Sequence, residues 1–494
     1  MGGIFSKSNR PTLPGAYVNF QSQTVEAIPP NPGTAVAIPF THDWGPFETV
    51  VRVSSFAEFQ NIFGSSDDTD GYRAVRQAFQ GEGLEGRGGA GEVVCFRMGA
   101  AAAAKAAKTL NNTSSSAAIT LTARYEGTRG NDLTVVTQDH AADSTKNELL
   151  LLDGTVLVEK YVYTDANITN LAAQINADSD WVTAGSVTSG TALAAVSGST
   201  GNLTGGNDGT TILSADWVAA LTAFSIHKFA VLCPYGLTDS GIRTTVATWT
   251  DDQNDLGNRF FTVFGGAAAE SLATASTRSA ALASPNIVNV GIGTLTDSTL
   301  GSGQTELAIS TSEFAARVAG ALASRGESQS LTHARFAGVE ITVGPTLSEL
   351  ESAFDAGVLA LSRDSHATAP VHVKTGLTTW TQTNATADPS KPYLIFRQPK
   401  YVRTIHGIET DLTRWAEEGI IGTQIINEQT REAVIGEVKT LLTERQSRGA
   451  IQAGWTVGID QNPPPSDEDE FIALAISLSF ARALEQVYFT VSVG

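Results

Sequence analysis

The chain has 494 residues and a formal net charge of −19, because 51 acidic residues outweigh 32 basic ones. This balance excludes a nucleic-acid-binding protein as the class of the whole chain, since binding phosphates requires a local excess of lysine and arginine. Two cysteines, Cys95 and Cys233, exclude a disulfide framework and a cysteine-rich zinc module. Charged residues make up only 17% of the chain, which favours a protein that hides part of its surface in an assembly.

Residues 1–23 are predicted to form an extended N-terminal arm. A short strand here places Tyr17 and Asn19 on one side and Val18 and Phe20 on the other. The prolines and glycine of residues 29–33 separate this strand from the globular sequence that follows. The strand therefore has no hairpin partner and must pair with a distant strand, in this molecule or in another. The first ten residues lack the apolar core of a secretory signal, so none is expected.

Residues 24–104 are predicted to be the first part of a core domain, with buried strands at residues 35–40 and 93–98 and a helix capped by Ser55. Residues 105–209 are rich in Thr, Ser, Gly and Asn, and short alternating runs in them are separated by Gly-Asn and Asp-Gly turns. This pattern predicts an inserted β-sandwich-like domain, interrupted by one helix at about 168–178. Alanine-rich residues 100–108 are predicted to be the connector before it.

Residues 210–345 alternate helical segments with buried apolar strands, which predicts an α/β domain with a parallel-type sheet. Residues 346–485 are predicted to be a C-terminal core domain that contains helices at about 409–418 and 428–445. It also contains a strand with period-two alternation, whose apolar positions are Ile472, Leu474, Ile476 and Leu478.

After a break at residues 481–485 the chain ends in a second arm, residues 486–494. The predicted strand of this arm contains Val487, Tyr488, Phe489, Thr490 and Val491. The predicted fold class is therefore a mixed α+β, multidomain chain. It has an α/β core domain with a parallel-type sheet, an inserted β-sandwich-like domain, and extended strand arms at both termini.

Patterns that could indicate an enzyme are incomplete. The segment 236–244 follows a strand and opens a helix, but Ile242 stands where a P-loop requires lysine. The seven histidines show no spacing typical of a metal site, and no Gly-Thr-Ser nucleophile turn accompanies them. The acidic run 467–470 follows three prolines and is interpreted as a solvated linker and not as a cation site. The sequence thus predicts no catalytic residue, cofactor or metal.

Several short motifs, in order along the whole chain, resemble the tail sheath family of contractile bacteriophages and related contractile injection systems. The motifs are LPGAYVNF at residues 13–20, WGP at residues 44–46, SFAEF leading to FG at residues 55–64, VVCFR at residues 93–97, RYEGTRGNDL at residues 124–133, GAI at residues 449–451, and the strand pair within residues 472–493. None of them is specific alone, but their order and spacing together carry the resemblance. Residues 110–208 depart from it most.

The resemblance implies a structural subunit that polymerises as stacked six-fold rings around an inner tail tube and contracts to drive the tube through the bacterial envelope for genome delivery. It implies that both arms pair with strands of neighbouring subunits, alongside the acceptor strand at residues 472–480. The implied partners are further copies of the chain, the inner tube protein, the baseplate, and tail terminator or neck proteins, with neither direct nucleic-acid contact nor membrane insertion. The implied location is the tail sheath of a virion, assembled in the host bacterial cytoplasm.

The helix at 428–445 is the candidate for contact with the inner tube, because it carries Arg431, Lys439 and Arg445 among acidic residues. A mixed-charge helix is also what an ordinary solvated face looks like. Two alternatives for the whole chain stay open: the sheath of a phage-derived injection system, and a β-rich surface or adhesin protein, a class that would carry an export signal.

Overall fold

The structure, a computed structural model, describes residues 34–83, 88–164, 168–185, 193, 200–209, 211–292, 295–300, 306–326, 329–341, 344–363, 370–422, 425–460 and 471–480. The chain divides into two compact units, with the boundary between residues 402 and 403. Each unit is described by itself below. Within these ranges, no helix has the length and apolar character needed to cross a membrane.

The first unit begins with two strands, two helices and a third strand: β1 (Ala35–Phe40), β2 (Val50–Val53), α1 (Phe56–Phe63), α2 (Asp70–Gln80) and β3 (Glu92–Arg97). All residues of β1 are buried, as expected for a strand covered on both faces. The predicted cap of α1 is confirmed, because the Ser55 hydroxyl accepts a hydrogen bond from the Glu58 amide at 3.2 Å.

The insertion follows as β4 (Lys105–Asn111), β5 (Ala117–Glu126), β6 (Leu133–Asp139), β7 (Asn147–Asp153), β8 (Val156–Tyr163), α3 (Ile168–Asp178), β9 (Val182–Gly185) and β10 (Gly201–Asn202). Two sheets, in the strand orders β4-β5-β9 and β10-β6-β7-β8, enclose an apolar core of their own. The predicted helix at 168–178 is confirmed. The predicted connector at 100–108 was partly wrong, because its second half belongs to β4, where Ala106 and Leu110 point into this core.

The chain then alternates helix and strand as α4 (Ser214–Phe224), β11 (Val231–Leu232), α5 (Ser240–Asp255), β12 (Phe261–Phe264), α6 (Leu272–Leu282) and β13 (Ile287–Gly291). The rest of the unit contains β14 (Leu295–Asp297), β15 (Leu307–Ile309), α7 (Thr311–Ser324), β16 (Arg335–Phe336), β17 (Val339–Ile341), α8 (Leu347–Asp355), β18 (Leu359–Ser362), β19 (Val371–Val373), α9 (Gln382–Ala387) and α10 (Tyr393–Phe396).

A nine-stranded sheet, in the order β16-β19-β18-β13-β12-β11-β1-β3-β2, forms the centre of this unit. Its strands from β18 to β3 in this order run parallel, as predicted, and antiparallel strands lie at both ends. Helices α4 and α5 contribute to the core on one face, and α2 and α7 to the core on the other. Helix α6 borders the core of α4 and α5 through Leu282 and shares a smaller apolar cluster with α8. The sheet contains strands from residues 24–104, 210–345 and 346–485, which the sequence analysis treats as three separate segments.

A buried ion pair fixes α7 to its surroundings. The side chains of Arg317 and Asp297 are both buried, and a guanidinium nitrogen of Arg317 lies 2.8 Å from a carboxylate oxygen of Asp297. The same guanidinium donates to the carbonyl oxygens of Gly81, at 2.7 Å, and Ala337, at 2.6 Å. One side chain thus connects α7 with the end of α2, with β14 and with the turn between β16 and β17.

The insertion is joined to the core by more than its two chain connections. Trp44, from the loop after β1, is buried in the insertion's own core, with its ring centroid 5.3 Å from Tyr125 and 5.5 Å from Trp181. The guanidinium of Arg129 lies 5.5 Å from the centroid of Trp181 and pairs with Asp153 at 2.7 Å. We call these five residues the insertion joint.

The second unit contains the greater part of α11 (Pro399–Trp415), a π-helical turn (Ala416–Ile420), α12 (Glu428–Ser447), β20 (Thr456–Ile459) and β21 (Leu474–Ser477). The predicted helix at 409–418 is the end of a longer helix, and the predicted helix at 428–445 is confirmed. Asn427 caps α12, because its side chain accepts a hydrogen bond from the Thr430 amide at 2.8 Å.

Candidate subunit-contact sites

The first candidate site is the small sheet of the second unit. Strands β20 and β21 pair antiparallel, with Val457 opposite Ile476 and Ile459 opposite Leu474. Contacts continue beyond β21, because the Gln452 amide donates to the Ser479 carbonyl at 2.6 Å. The sequence analysis does not predict β20, although Gly454 precedes residues 456–459 and Pro463 follows them, as turn residues flank a strand. Within the described residues, β20 and β21 pair only with each other.

The four predicted acceptor residues share one face of this sheet. Ile472, Leu474, Ile476 and Leu478 all pack against an apolar cluster that includes Trp415, Val438 and Leu442. The residues between them, such as Ala475 and Ser477, are exposed, so the period-two interpretation is confirmed. The acceptor side chains are only half-buried, however, in contrast to the fully buried strands of the central sheet.

Both predicted arm strands lie outside the described residues. They are the N-terminal set Tyr17, Val18, Asn19 and Phe20 and the C-terminal set Val487, Tyr488, Phe489, Thr490 and Val491. Their pairing with the acceptor strand stays a prediction.

Helix α12 is the second candidate site. Lys439 is exposed and Arg431 is half-buried, so both can reach a partner. Arg445 cannot, because it is buried and forms an ion pair with the buried carboxylate of Asp411. The choice of Arg445 as a contact residue therefore needs correction. It stands seven residues after Val438 and four after Leu441, on the buried stripe of the helix, and this spacing could have revealed its position.

The patterns set aside as enzyme signals have structural roles. The N-terminus of α5, in the P-loop-like segment, is capped by the side chain of Asp239, which accepts a hydrogen bond from the Ile242 amide at 2.8 Å. Burial raises the pKa of the Cys95 and Cys233 thiols, so both are unreactive packing groups. In the described ranges, no three His, Cys, Asp or Glu side chains are grouped to hold a metal ion.

Three family models match the chain in succession. Residues 99–208 match the phage tail sheath protein beta-sandwich domain, residues 211–371 its central domain, and residues 395–494 the phage tail sheath C-terminal domain. The chain belongs to the phage tail sheath family. This family is structural, and the predicted mixed α+β sheath fold with an inserted β-sandwich is confirmed.

Solved structures agree with this assignment at the level of the fold. The sheath tail protein of Desulfitobacterium hafniense is similar over 94% of this chain and 100% of its own, with a TM-score of 0.70 and 21% identity. The helical sheath of the anti-feeding prophage, in its contracted state, is similar over 98% of this chain and 99% of its own, with a TM-score of 0.54 and 12% identity.

A curated relative, the uncharacterized protein YqbK of Bacillus subtilis (strain 168), is 24% identical over 145 residues, which are 29% of this chain. The match spans only 28% of that relative's length.

The sheath insertion is expected to be removable as a unit. Its ends are adjacent, because the Ala104 amide donates to the Asn207 carbonyl at 2.9 Å and the Asn207 amide donates back at 3.0 Å. Replacing residues 105–206 by two glycines closes this pair with a two-residue hairpin loop. The variant also carries Trp44→Ser, because Trp44 is the one residue of the insertion joint outside the deleted segment and would otherwise become exposed. We expect a folded protein that retains the basic lattice.

The matched control is the same deletion with Trp44 retained, which we expect to fold but to be the less soluble of the two proteins, because a large apolar ring becomes exposed. Circular dichroism and electron microscopy would compare the two proteins. Loss of ring stacking in a folded deletion variant would contradict the prediction and give the insertion a structural role.

Proposed function

We propose that this chain is the subunit of a contractile tail sheath that polymerises as stacked six-fold rings around an inner tube. Contraction drives the tube through the bacterial envelope and so delivers the genome. The observation that carries the proposal is the acceptor strand at residues 472–480, which pairs with β20 and carries one apolar face that is only half-buried. Strands added from neighbouring subunits would extend this sheet and cover that face.

Strand exchange suits a lattice that rearranges. Backbone hydrogen bonds join the subunits, and the extended segments between arm and domain tolerate rotation of the domains. At a net contribution of about 0.5–1.5 kcal/mol per hydrogen bond, a few bonds in each arm keep neighbours connected during contraction. The energy is stored in the extended lattice, so neither a nucleotide nor a catalytic residue is required.

The proposed partners are other copies of this chain, the inner tube, the baseplate, and the terminator or neck proteins. Assembly takes place in the cytoplasm of the host bacterium. Likeness to the anti-feeding prophage sheath supports a second candidate, the sheath of a phage-derived injection machine. Genome-filled particles would favour the first candidate, and headless particles that carry this chain the second.

The test is negative-stain electron microscopy of the purified full-length protein, alone and with its inner tube protein. We expect rings or helical tubes with six-fold symmetry. A protein that stays monomeric under all polymerising conditions, with and without tubes, would overturn the proposal.

Charge reversal on α12 tests the proposed tube contact. The double change Arg431→Glu and Lys439→Glu is expected to reduce the fraction of tubes that become sheathed, because it reverses the charge of α12 at the proposed contact and so removes any charge complementarity there. The matched control is Lys146→Glu, at an exposed position of the insertion. Normal sheathing by the double variant would exclude α12 as the contact.

A further inference from the structure

The outer surface of the layer formed by α4, α5 and α6 is almost free of charge. On α4 and α6 no exposed position carries a charged residue, and on α5 the exposed acids begin only at Asp252. We call this surface the helical face. Its exposed residues are Ala215, Val218, Ala219, Thr222, Thr244, Thr245, Thr248, Ala273, Thr274, Thr277, Ala280 and Ala281.

Large aliphatic side chains lie at one end of the helical face. Ile226, after α4, is 83% exposed, and Leu256, after α5, is 76% exposed. The two loops that carry them are adjacent, because the Lys228 ammonium donates to the Asn258 side-chain oxygen at 2.8 Å. Val218, on the same line along α4, is 44% exposed. Together these side chains form an apolar patch, which the exposed charges of Lys228, Asp252 and Asp255 border, and exposed apolar patches mark contact sites.

The charge of the chain indicates what covers this face. Two copies with a net charge of −19 repel each other wherever acidic surfaces meet. Identical subunits can approach closely only through surfaces that are uncharged or have complementary charges. Over most of its area, the helical face is an uncharged surface. The solvated face of a helix otherwise carries charged residues, as α8 does with Glu349, Glu351 and Asp355.

We propose that the helical face packs against a second copy of this chain in the sheath lattice, as a contact separate from the strand arms. This inference rests on the proposed function. Ala219, Thr248 and Thr277 are exposed positions on three different helices, so a charge placed there leaves the fold intact and acts on the contact alone.

The experiment compares Thr248→Glu and Thr248→Lys with Thr248→Ser, in the full-length protein, by sedimentation of polymers over a concentration series. We expect both charged variants to raise the critical concentration at least about tenfold, since either sign would be buried without a partner, while Thr248→Ser behaves as wild type. The matched control is Thr383→Glu, at an exposed threonine on α9. Thermal unfolding of each monomer verifies that it is folded, and Ala219→Glu and Thr277→Glu repeat the test on α4 and α6.

The outcomes distinguish this inference from the function on which it rests. If wild type polymerises and the charged variants polymerise equally well, the helical face is not a subunit contact, although the sheath function stands. If the charged variants polymerise normally but fail to enclose the inner tube, the helical face contacts the tube and not a second copy of the chain, and the inference is overturned. If wild type forms no polymer, both proposals fail.

Discussion

Removing residues 1–23 or residues 486–494 is expected to leave a soluble, folded monomer that forms no stable lattice. The acceptor strand packs its apolar side chains on the second unit's own cluster, so neither deletion removes the core of that unit. Each deletion removes instead the backbone donors and acceptors through which neighbouring subunits would be joined. Sedimentation and electron microscopy measure the loss, and circular dichroism verifies the monomer.

Single substitutions separate the backbone contribution from the side-chain contribution. Val18→Pro and Val491→Pro remove a ladder donor and fix φ, whereas Val18→Ala and Val491→Ala remove only side-chain packing. The proline variants are expected to impair polymerisation more strongly than the alanine variants at the same positions. If protein without either arm still polymerises and contracts as a connected sheath, strand exchange is not the mechanism.

Arg317→Leu is expected to cause the largest loss of stability from a single substitution. It leaves the Asp297 carboxylate buried without its cation and leaves the Gly81 and Ala337 carbonyls without their donor. Breaking a buried pair in this way costs about 3–5 kcal/mol. Burial lowers the pKa of Arg317 and the nearby Asp297 opposes this shift, so the guanidinium stays protonated in the folded protein.

The matched control is Arg52→Leu, which breaks the exposed pair between Arg52 and Glu92, whose side chains are 37% and 35% exposed. Such surface pairs contribute about 0–1 kcal/mol. Urea unfolding of both variants measures the difference in the free energy of unfolding. The double variant Arg317→Leu with Asp297→Leu is expected to recover only the part of the loss that comes from the unpaired carboxylate, because the Gly81 and Ala337 carbonyls stay without a donor and the Thr299 amide and hydroxyl lose their acceptor. Similar values for Arg317→Leu and Arg52→Leu would contradict the interpretation.

Local features of the fold could be predicted from the sequence because each has a local cause. The cap at Ser55, the helix at 428–445 and the alternation at 472–480 depend on residues within a few positions of each other. The pairing of β1 with β11 could not be predicted in this way, because Val36 and Val231 are far apart in the sequence and nothing near either residue specifies the other.

In the candidate sites too, features with a local cause could be predicted, and features that depend on distant residues could not. The four acceptor residues were identified correctly as one face, but their partner strand β20 was missed because it is short and contains Gly458. The buried position of Arg445 is indicated by its spacing from Val438 and Leu441 on α12, but its partner could not be predicted, because the carboxylate of Asp411 belongs to a different helix.

The insertion joint has a mechanical consequence. A domain connected by two adjacent strands alone could swing about them as on a hinge. Trp44, held between Tyr125 and Trp181, blocks that movement, because swinging would withdraw a buried ring from the insertion's core. We therefore expect the insertion and the core domain to move together as one body. If the sheath contracts as proposed, a fluorescent label at the exposed Thr155, in the turn between β7 and β8, is expected to report the rotation of the subunits.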